Sequence, residues 1–323
     1  MQLSGTPSHS AIKINLSSIA RWVVVLLLSI GATMAAPLLP VRVSENVYAF
    51  IADNGDISLA NRGRIGNTGF IIGPEGIVVI DTGVSFRHAQ AMVEAIRRVS
   101  KLPISLAIIT HAHQEFLFGA AYFQAQHIPV LTHVKTAQLM RSRCENCLHH
   151  LKETLGVAEM RGSKVIAPDQ LVDGSEFISA AGMSLELHYF GWGNTPGDLT
   201  VFERNTGVLF AGGLVDVGRI PELRDSRVQE WHLILGQLNA LPVNHIVPGH
   251  GSIGDRRAIE QMQNYLNAIE RKVRALYDDG VSLSDVESKG DLPEFSHWAL
   301  YREQHHRNVH RVYLQLEQSD LEN

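Results

Sequence analysis

Two cysteines in 323 residues exclude a disulfide-stapled scaffold. Positive charge is also scarce: 28 Lys and Arg stand against 33 Asp and Glu, for a formal net charge of −5. A mildly acidic chain carries no electrostatic footprint for nucleic acid or an anionic membrane surface. Glycine-rich phosphate loops, repeats of fixed period and low-complexity segments are absent, and only one long apolar run occurs, Trp22 to Ile30. What is present is an ordinary globular mixture, 45% hydrophobic and 19% charged, long enough to bury a full core. It also holds 16 histidines, the residue most used for metal ligation and for proton transfer near neutral pH.

The apolar run belongs to an N-terminal pattern. Residues 1–36 contain no acidic residue and two basic ones, Lys13 and Arg21; the run follows, and then the small-residue stretch Thr33-Met34-Ala35-Ala36. A charged start, a short apolar core and small residues at a cleavage site predict a secretory signal peptide over 1–35. The run falls short of the ~20 apolar residues that a spanning helix needs. The expected mature protein is periplasmic or secreted, has no membrane span, and sits where disulfides are permitted.

Beyond residue 37 the pattern predicts α/β structure. Val47–Ile51 reads as a strand and 53–66 as a surface loop. Gly69–Ile72 and Ile77–Ile80, joined by Gly-Pro-Glu-Gly, read as a hairpin. A one-faced helix is expected over 86–99 and a buried strand over Ile104–Ile109. Further helices are expected at 133–155, 228–240, 256–278 and 298–317, with strands at 183–190, 198–203, 207–211 and 245–247. These assemble into one domain over 37–255 and a C-terminal helical extension over 256–323 packed on it.

The chemistry concentrates at strand ends. His111-Ala112-His113 directly follows the buried strand, so both imidazoles can point into one cleft. Glu115 adds a carboxylate, and His250 sits in a Pro-Gly-His-Gly turn after another strand. Through Asp81-Thr82-Gly83, Thr110–Phe116, Gly193–Leu199, Leu209–Gly213 and Val247–Gly251, nearly the whole expected mature chain resembles the metallo-β-lactamase-fold superfamily in order and spacing. The resemblance implies an α+β fold, a four-layer αββα sandwich of two mixed sheets with metals at one edge. Within the superfamily, Gly218-Arg219-Ile220-Pro221 and His305-His306-Arg307-Asn308-Val309 look like the secreted quinoprotein relay system zinc metallohydrolases. That branch implies a partner: a periplasmic quinone-cofactor (PQQ) dehydrogenase or c-type cytochrome system.

The family's metal motif is His-x-His-x-Asp-His, then a later His, a bridging Asp and a last His. Of these seven positions three keep the expected residue here: His111, His113 and His250. Glu115 stands for the Asp, Phe116 for the next His, Asn194 for the later His and Gly213 for the bridging Asp. Catalytic zinc usually keeps three protein ligands and a water, so one zinc at most is expected. In one reading it sits on His111, His113 and His250, with Glu115 or the Asn194 carbonyl oxygen, and Glu115 or Asp198 handles the proton of a bound water. In the other the cleft has lost its metal and the protein binds a small molecule without turning it over. Asp216, three residues after Gly213, would face away in a regular strand and could not replace the bridge. Asp81 is expected to be structural, bonded to the metal-ligand loop.

A second cluster, Cys144-Glu145-Asn146-Cys147-Leu148-His149-His150, places its histidine one residue too late for c-type haem attachment. In an oxidising compartment Cys144 and Cys147 are expected to form a local structural disulfide. His306 and His310, spaced i, i+4 on a predicted helix, could pinch a metal; the favoured reading is a partly exposed helix face near Arg302, Arg307 and Arg311.

Overall fold

Four consecutive residues, Ile77–Ile80, are all buried, yet they divide between two cores: Ile77 and Val79 join one, Val78 and Ile80 the other. Period-two alternation sends successive side chains to opposite faces, so a strand apolar on both faces must be covered on both. The computed structural model describes residues 38–322, together with Gln2 and Gly5; the remainder of the expected signal peptide lies outside the described residues. The described chain from Leu38 onward forms one unit.

Seven strands make the first sheet in sequence order: β1 (Val41–Ser44), β2 (Val47–Phe50), β3 (Thr68–Ile72), β4 (Ile77–Ile80), β5 (Ile104–Ile109), β6 (Val130–His133) and β7 (Gln170–Val172). It is mixed: β1 to β4 pair antiparallel and β4 to β7 parallel. The second sheet runs β12 (His245–His250), β11 (Val208–Asp216), β10 (Thr200–Glu203), β9 (Met183–His188) and β8 (Glu176–Ala180), with the β11–β12 pair parallel.

Three cores define four layers. Val78, Ile108 and Leu131 of the first sheet meet Leu187, Val201 and Phe210 of the second. The outer face of the first sheet packs on α1 (Phe86–Val99), the short turns α2 (Gln114–Leu117) and α3 (Ala120–Ala125), and α4 (Val134–Leu155). The outer face of the second packs on α5 (Val228–Ala240), α6 (Arg256–Asp278), α7 (Leu283–Lys289) and α8 (His306–Glu322). The expected αββα sandwich is the observed fold. Residues after 256 share a core with the second sheet through Ile259, Met262, Val309 and Val312. Among the described residues no helix is long and apolar enough to cross a membrane.

Three of the four strands missing from the sequence reading, β1, β7 and β8, are edge strands, and β8 is largely exposed. At three to five residues each, these edges are too short for their apolar pattern to stand out. The last helix differs too: a π turn spans Tyr301–His305, and Leu300 before it is left-handed at φ 61°. The wider turn carries His305 into the interior, where its ring nitrogens lie 3.1 Å from the Tyr265 hydroxyl and 3.0 Å from Gly290 O. His306, beside it, faces the Asp291 carboxylate at 3.3 Å.

His88 on α1 is the titratable group most exposed to acid effects outside the cleft. Its Nδ1 accepts from Val84 N–H at 3.3 Å, and Ser85 caps the helix by accepting from His88 N–H. Burial, with Arg64 and Arg62 nearby, pushes its imidazole down to about 3. The unfolded chain, with the ordinary value of 6.5, therefore takes up the proton first. Stability should be unaffected by this group above pH ~6.5 and fall below it, by up to about 1.4 kcal/mol per pH unit, until pH ~3. Urea midpoints at pH 7 and pH 5 check this: His88→Asn should show a smaller loss on acidification than wild type, and an equal loss would refute the assignment.

Candidate functional site

The cleft lies where β4, β5, β11 and β12 end along one edge of the two sheets. Asp81, at the end of β4, is left-handed at φ 59°, and this turns its carboxylate across to β5. There it accepts from Thr110 N–H at 2.8 Å and from the Thr110 hydroxyl at 2.9 Å. The same hydroxyl lies 2.8 Å from His111 Nδ1. A hydroxyl that donates to the carboxylate accepts from Nδ1–H, which leaves His111 Nε2 as a bare, buried lone pair facing Gly213. Burial, with His113 beside it, holds the His111 imidazole well below the usual histidine range and so neutral. Burial also raises Asp81 to about 7, against the lowering pull of its Thr110 bonds.

His113 precedes α2, and the two imidazoles meet edge to face with centroids 4.7 Å apart. The α2 turn is tied back to β4 because the Thr82 hydroxyl and Thr82 N–H both donate to Phe116 O at 2.8 Å. Glu115 in that turn reaches His250, its Oε1 lying 3.0 Å from Nε2. The other ring nitrogen, Nδ1, lies 2.8 Å from Asp216 Oδ1. Burial lowers His250 and raises Glu115, but the carboxyls around the ring and the ring beside Glu115 outweigh it. The histidine is therefore raised above its ordinary value and Glu115 held well below the usual carboxylate range.

Asp216 corrects the sequence reading. A regular strand would turn it away from Gly213, but β11 is not regular. Gly212 is left-handed at φ 52°, and the register against β12 shifts between Phe210 and Gly212 and again between Gly212 and Asp216. The irregularity breaks the alternation and brings Asp216 to the cleft, onto His250. Asp198 is the second correction. Its carboxylate accepts from Thr195 N–H at 2.9 Å and from the Thr195 hydroxyl at 2.6 Å, and it is 1% exposed. It holds the 194–198 loop in shape and does not line the cleft, so it is no candidate for handling a proton there.

The remaining substituted positions fit around the histidines. The Phe116 ring is fully buried, 4.5 Å from His111 and 5.4 Å from His250 between centroids. Asn194 donates to Glu222 O at 3.0 Å, while its Oδ1 has no partner; His111 Nε2 has none either. Both orphaned atoms converge on Gly213, where a Cβ would stand 2.8 Å from His111 Nε2 and 3.2 Å from Asn194 Oδ1. The cleft above them has a volume of about 420 Å³. His113, Glu115, Asn194, Gly213, Asp216 and His250 form its floor; Arg219, Cys147 and the C-terminal residues Gln304 and Arg307 form its walls. Sequence reasoning missed Asn67. Its Nδ2 donates to Pro248 O at 3.0 Å and Gly251 O at 2.8 Å, clamping the turn that carries His250 onto β3. A lone Asn before a strand gives no signal of this. Arg219 is a loop anchor, donating to the carbonyls of Asn54 and Gly55. Tyr189 stacks on His133 with centroids 3.9 Å apart, and Trp192 donates to Asp225 O; neither lines the cleft.

A four-layer sandwich with a histidine cleft at one edge of its sheets defines a class. The metallo-β-lactamase superfamily model matches residues 61–250, and the chain belongs to that family. It is 21% identical over 232 residues to a type 2 metallo-β-lactamase of Bacteroides fragilis, covering 70% of this chain and 84% of that protein. A type 2 metallo-β-lactamase of Bacillus cereus is 26% identical over 192 residues, 56% of this chain and 65% of that one. A solved metallo-β-lactamase from Pontibacter korlensis superposes with a TM-score of 0.58 at 22% identity, covering 71% of this chain and 98% of that one.

The family usually binds zinc, and the donors here do not fit a catalytic zinc centre. Both ring nitrogens of His250 are engaged by carboxyls, and Phe116 occupies a ligand position with an apolar ring. The first site offers two imidazoles, which suit zinc, with a neutral amide oxygen, a poorer zinc donor, at the third position. Among the described residues no group of three or more His, Cys, Asp or Glu side chains could hold a metal ion. Putting the bridging acid back does not repair this, because there is no room for its Cβ. Gly213→Asp should cost about 1–3 kcal/mol of stability through overpacking against the His111 ring. Chemical denaturation checks this; a variant as stable as wild type that binds zinc tightly would show that the site was only one residue short.

Proposed function

We propose that this chain is an exported, ligand-binding member of the superfamily whose cleft lacks the hydrolytic zinc centre. The observation that carries the reading is the engagement of His250 by Asp216 and Glu115 at its two ring nitrogens, 2.8 and 3.0 Å away. A histidine so held carries a proton on each nitrogen, and a metal would have to displace the one shared with Glu115. The orphaned His111 Nε2 and Asn194 Oδ1 are both acceptors, and they suit a small ligand that presents a hydroxyl or amino donor. Arg219 and Asn67 hold the surrounding loops, so the cleft is shaped before a ligand arrives.

Export rests on the charged, apolar and small-residue succession of the first thirty-six residues. The relay-branch resemblance adds a context, a periplasmic quinone-cofactor dehydrogenase or c-type cytochrome that the protein accompanies. The stretches that carry this resemblance bond to each other, since Asn308 Nδ2 donates to Pro221 O at 2.8 Å.

Metal content tests the reading. The mature chain from Ala36, equilibrated with zinc and desalted, should hold far less than one metal per chain and should hydrolyse no β-lactam, ester or thioester above background. One zinc per chain, lost in His111→Ala together with a hydrolytic activity, would instead establish a mononuclear hydrolase on His111, His113 and Asn194. Mass spectrometry of the periplasmic fraction checks export, with the mature N-terminus expected at Ala36.

A further inference from the structure

One wall of the cleft carries chemistry that the floor does not use. Cys144 and Cys147 lie on α4 as free thiols, where the compartment argument had expected a disulfide. The helix explains their different exposures. Cys144 faces the core under α4 and is 1% exposed, whereas Cys147 is half-buried and lines the cleft beside Asn146 and His150. Despite that difference, the two thiols are close enough for each to shift the other's titration. Residues three apart in a regular helix have Cα atoms about 5 Å apart, inside the span a disulfide bridges. The Cα spacing of the pair therefore lies within disulfide range.

We propose that Cys147 and Cys144 are a thiol–disulfide exchange pair in the cleft wall, acting on a small-molecule disulfide that enters the cleft. Cys147 is the attacking sulfur, because it alone faces the cavity. Its Sγ bonds to one sulfur of the incoming disulfide, the S–S bond breaks, and one half leaves as a thiolate. Cys144 then gives up its proton and attacks Cys147 Sγ, closing the protein disulfide and expelling the second half. The incoming disulfide gains two electrons and the protein dithiol loses two. The two thiol protons end on the two departing thiols, and no other reactant is needed. The electrostatics agree with this order: the neighbouring Cys144, with Arg224 nearby, lowers the Cys147 thiol, while Cys147 and burial push Cys144 up. An attacking thiol titrates near ambient pH, and a resolving thiol stays protonated until the mixed disulfide forms. A cleft of about 420 Å³ is the size of an ordinary small-molecule site.

The test uses the full mature chain and glutathione disulfide as the probe. Protein equilibrated across glutathione redox ratios is quenched in acid, alkylated and weighed intact. Wild type should pass in one two-electron step to a species that takes no alkylating label and carries no glutathione, and excess reduced glutathione should reverse it. Cys144→Ser should stop at one glutathione per chain, mapped to Cys147. Two labels per chain in pure glutathione disulfide, or glutathione held separately on each cysteine, would overturn the proposal. So would a mixed disulfide that accumulates on Cys144 in Cys147→Ser and not on Cys147 in Cys144→Ser. The wild-type titration decides the matter even if a variant fails to fold.

Discussion

His250 stands between two carboxyl groups that belong to different layers. Asp216 ends β11 in the second sheet, and Glu115 rides on the turn that follows β5 of the first. Their contacts with one imidazole close the edge where the two sheets meet. Burying charged groups costs several kcal/mol each unless they are paired with good geometry, and removing one partner of such a group typically costs about 3–5 kcal/mol. The cleft floor is therefore held by a polar contact where the rest of the molecule is held by apolar layers. The same contact occupies the Nε2 atom of the histidine, so any metal there would have to displace Glu115 from it.

The fold was legible in the sequence because its central strands are buried on both faces. Ile77–Ile80 and Ile104–Ile109 appear as unbroken apolar runs bounded by turn residues, and both are central strands. The helices 86–99, 228–240 and 256–278 lie where their apolar spacing placed them, because each buries one stripe on a sheet. The site was legible as a list of positions and not as a set of contacts. Its list came from motif order, which survives substitution, whereas its contacts depend on backbone irregularity. Nothing in Gly212-Gly213-Leu214-Val215-Asp216 announces a register shift, so alternation sent Asp216 the wrong way. Asp198 misled for the opposite reason. An acid close to the motif histidines invites a catalytic role, but a side chain that can reach backbone and hydroxyl donors three residues back is held by them.

The C-terminal segment is part of the site and not an appendage to it. Asn308 accepts from Leu223 N–H and donates to Pro221 O and the Tyr265 hydroxyl, joining α8 and α6 to the loop after β11. The π turn before α8 supplies Glu303 and Gln304 to the cleft wall, and His305 is drawn inward behind them. A π turn is costly in an otherwise regular helix and persists where the surroundings demand its geometry. Here it lets one short stretch present polar side chains to the cleft while burying a histidine against Tyr265 on the opposite side.

The substitutions at Phe116, Asn194 and Gly213 form one packing solution. Phe116 fits only because Gly66 opposite it has no side chain; a Cβ there would lie 2.5 Å from the ring. His111 holds its position only because Gly213 leaves room for the imidazole edge, and Asn194 Oδ1 points into the same space. Residues in contact do not contribute additively, so each of these identities is favourable only while its neighbours keep theirs. The floor thus combines an aromatic ring, an amide and a glycine that accommodate one another, with His250 bonded at both nitrogens. That mutual fit makes the floor one packing unit, in which a change at any of these positions is felt by the others.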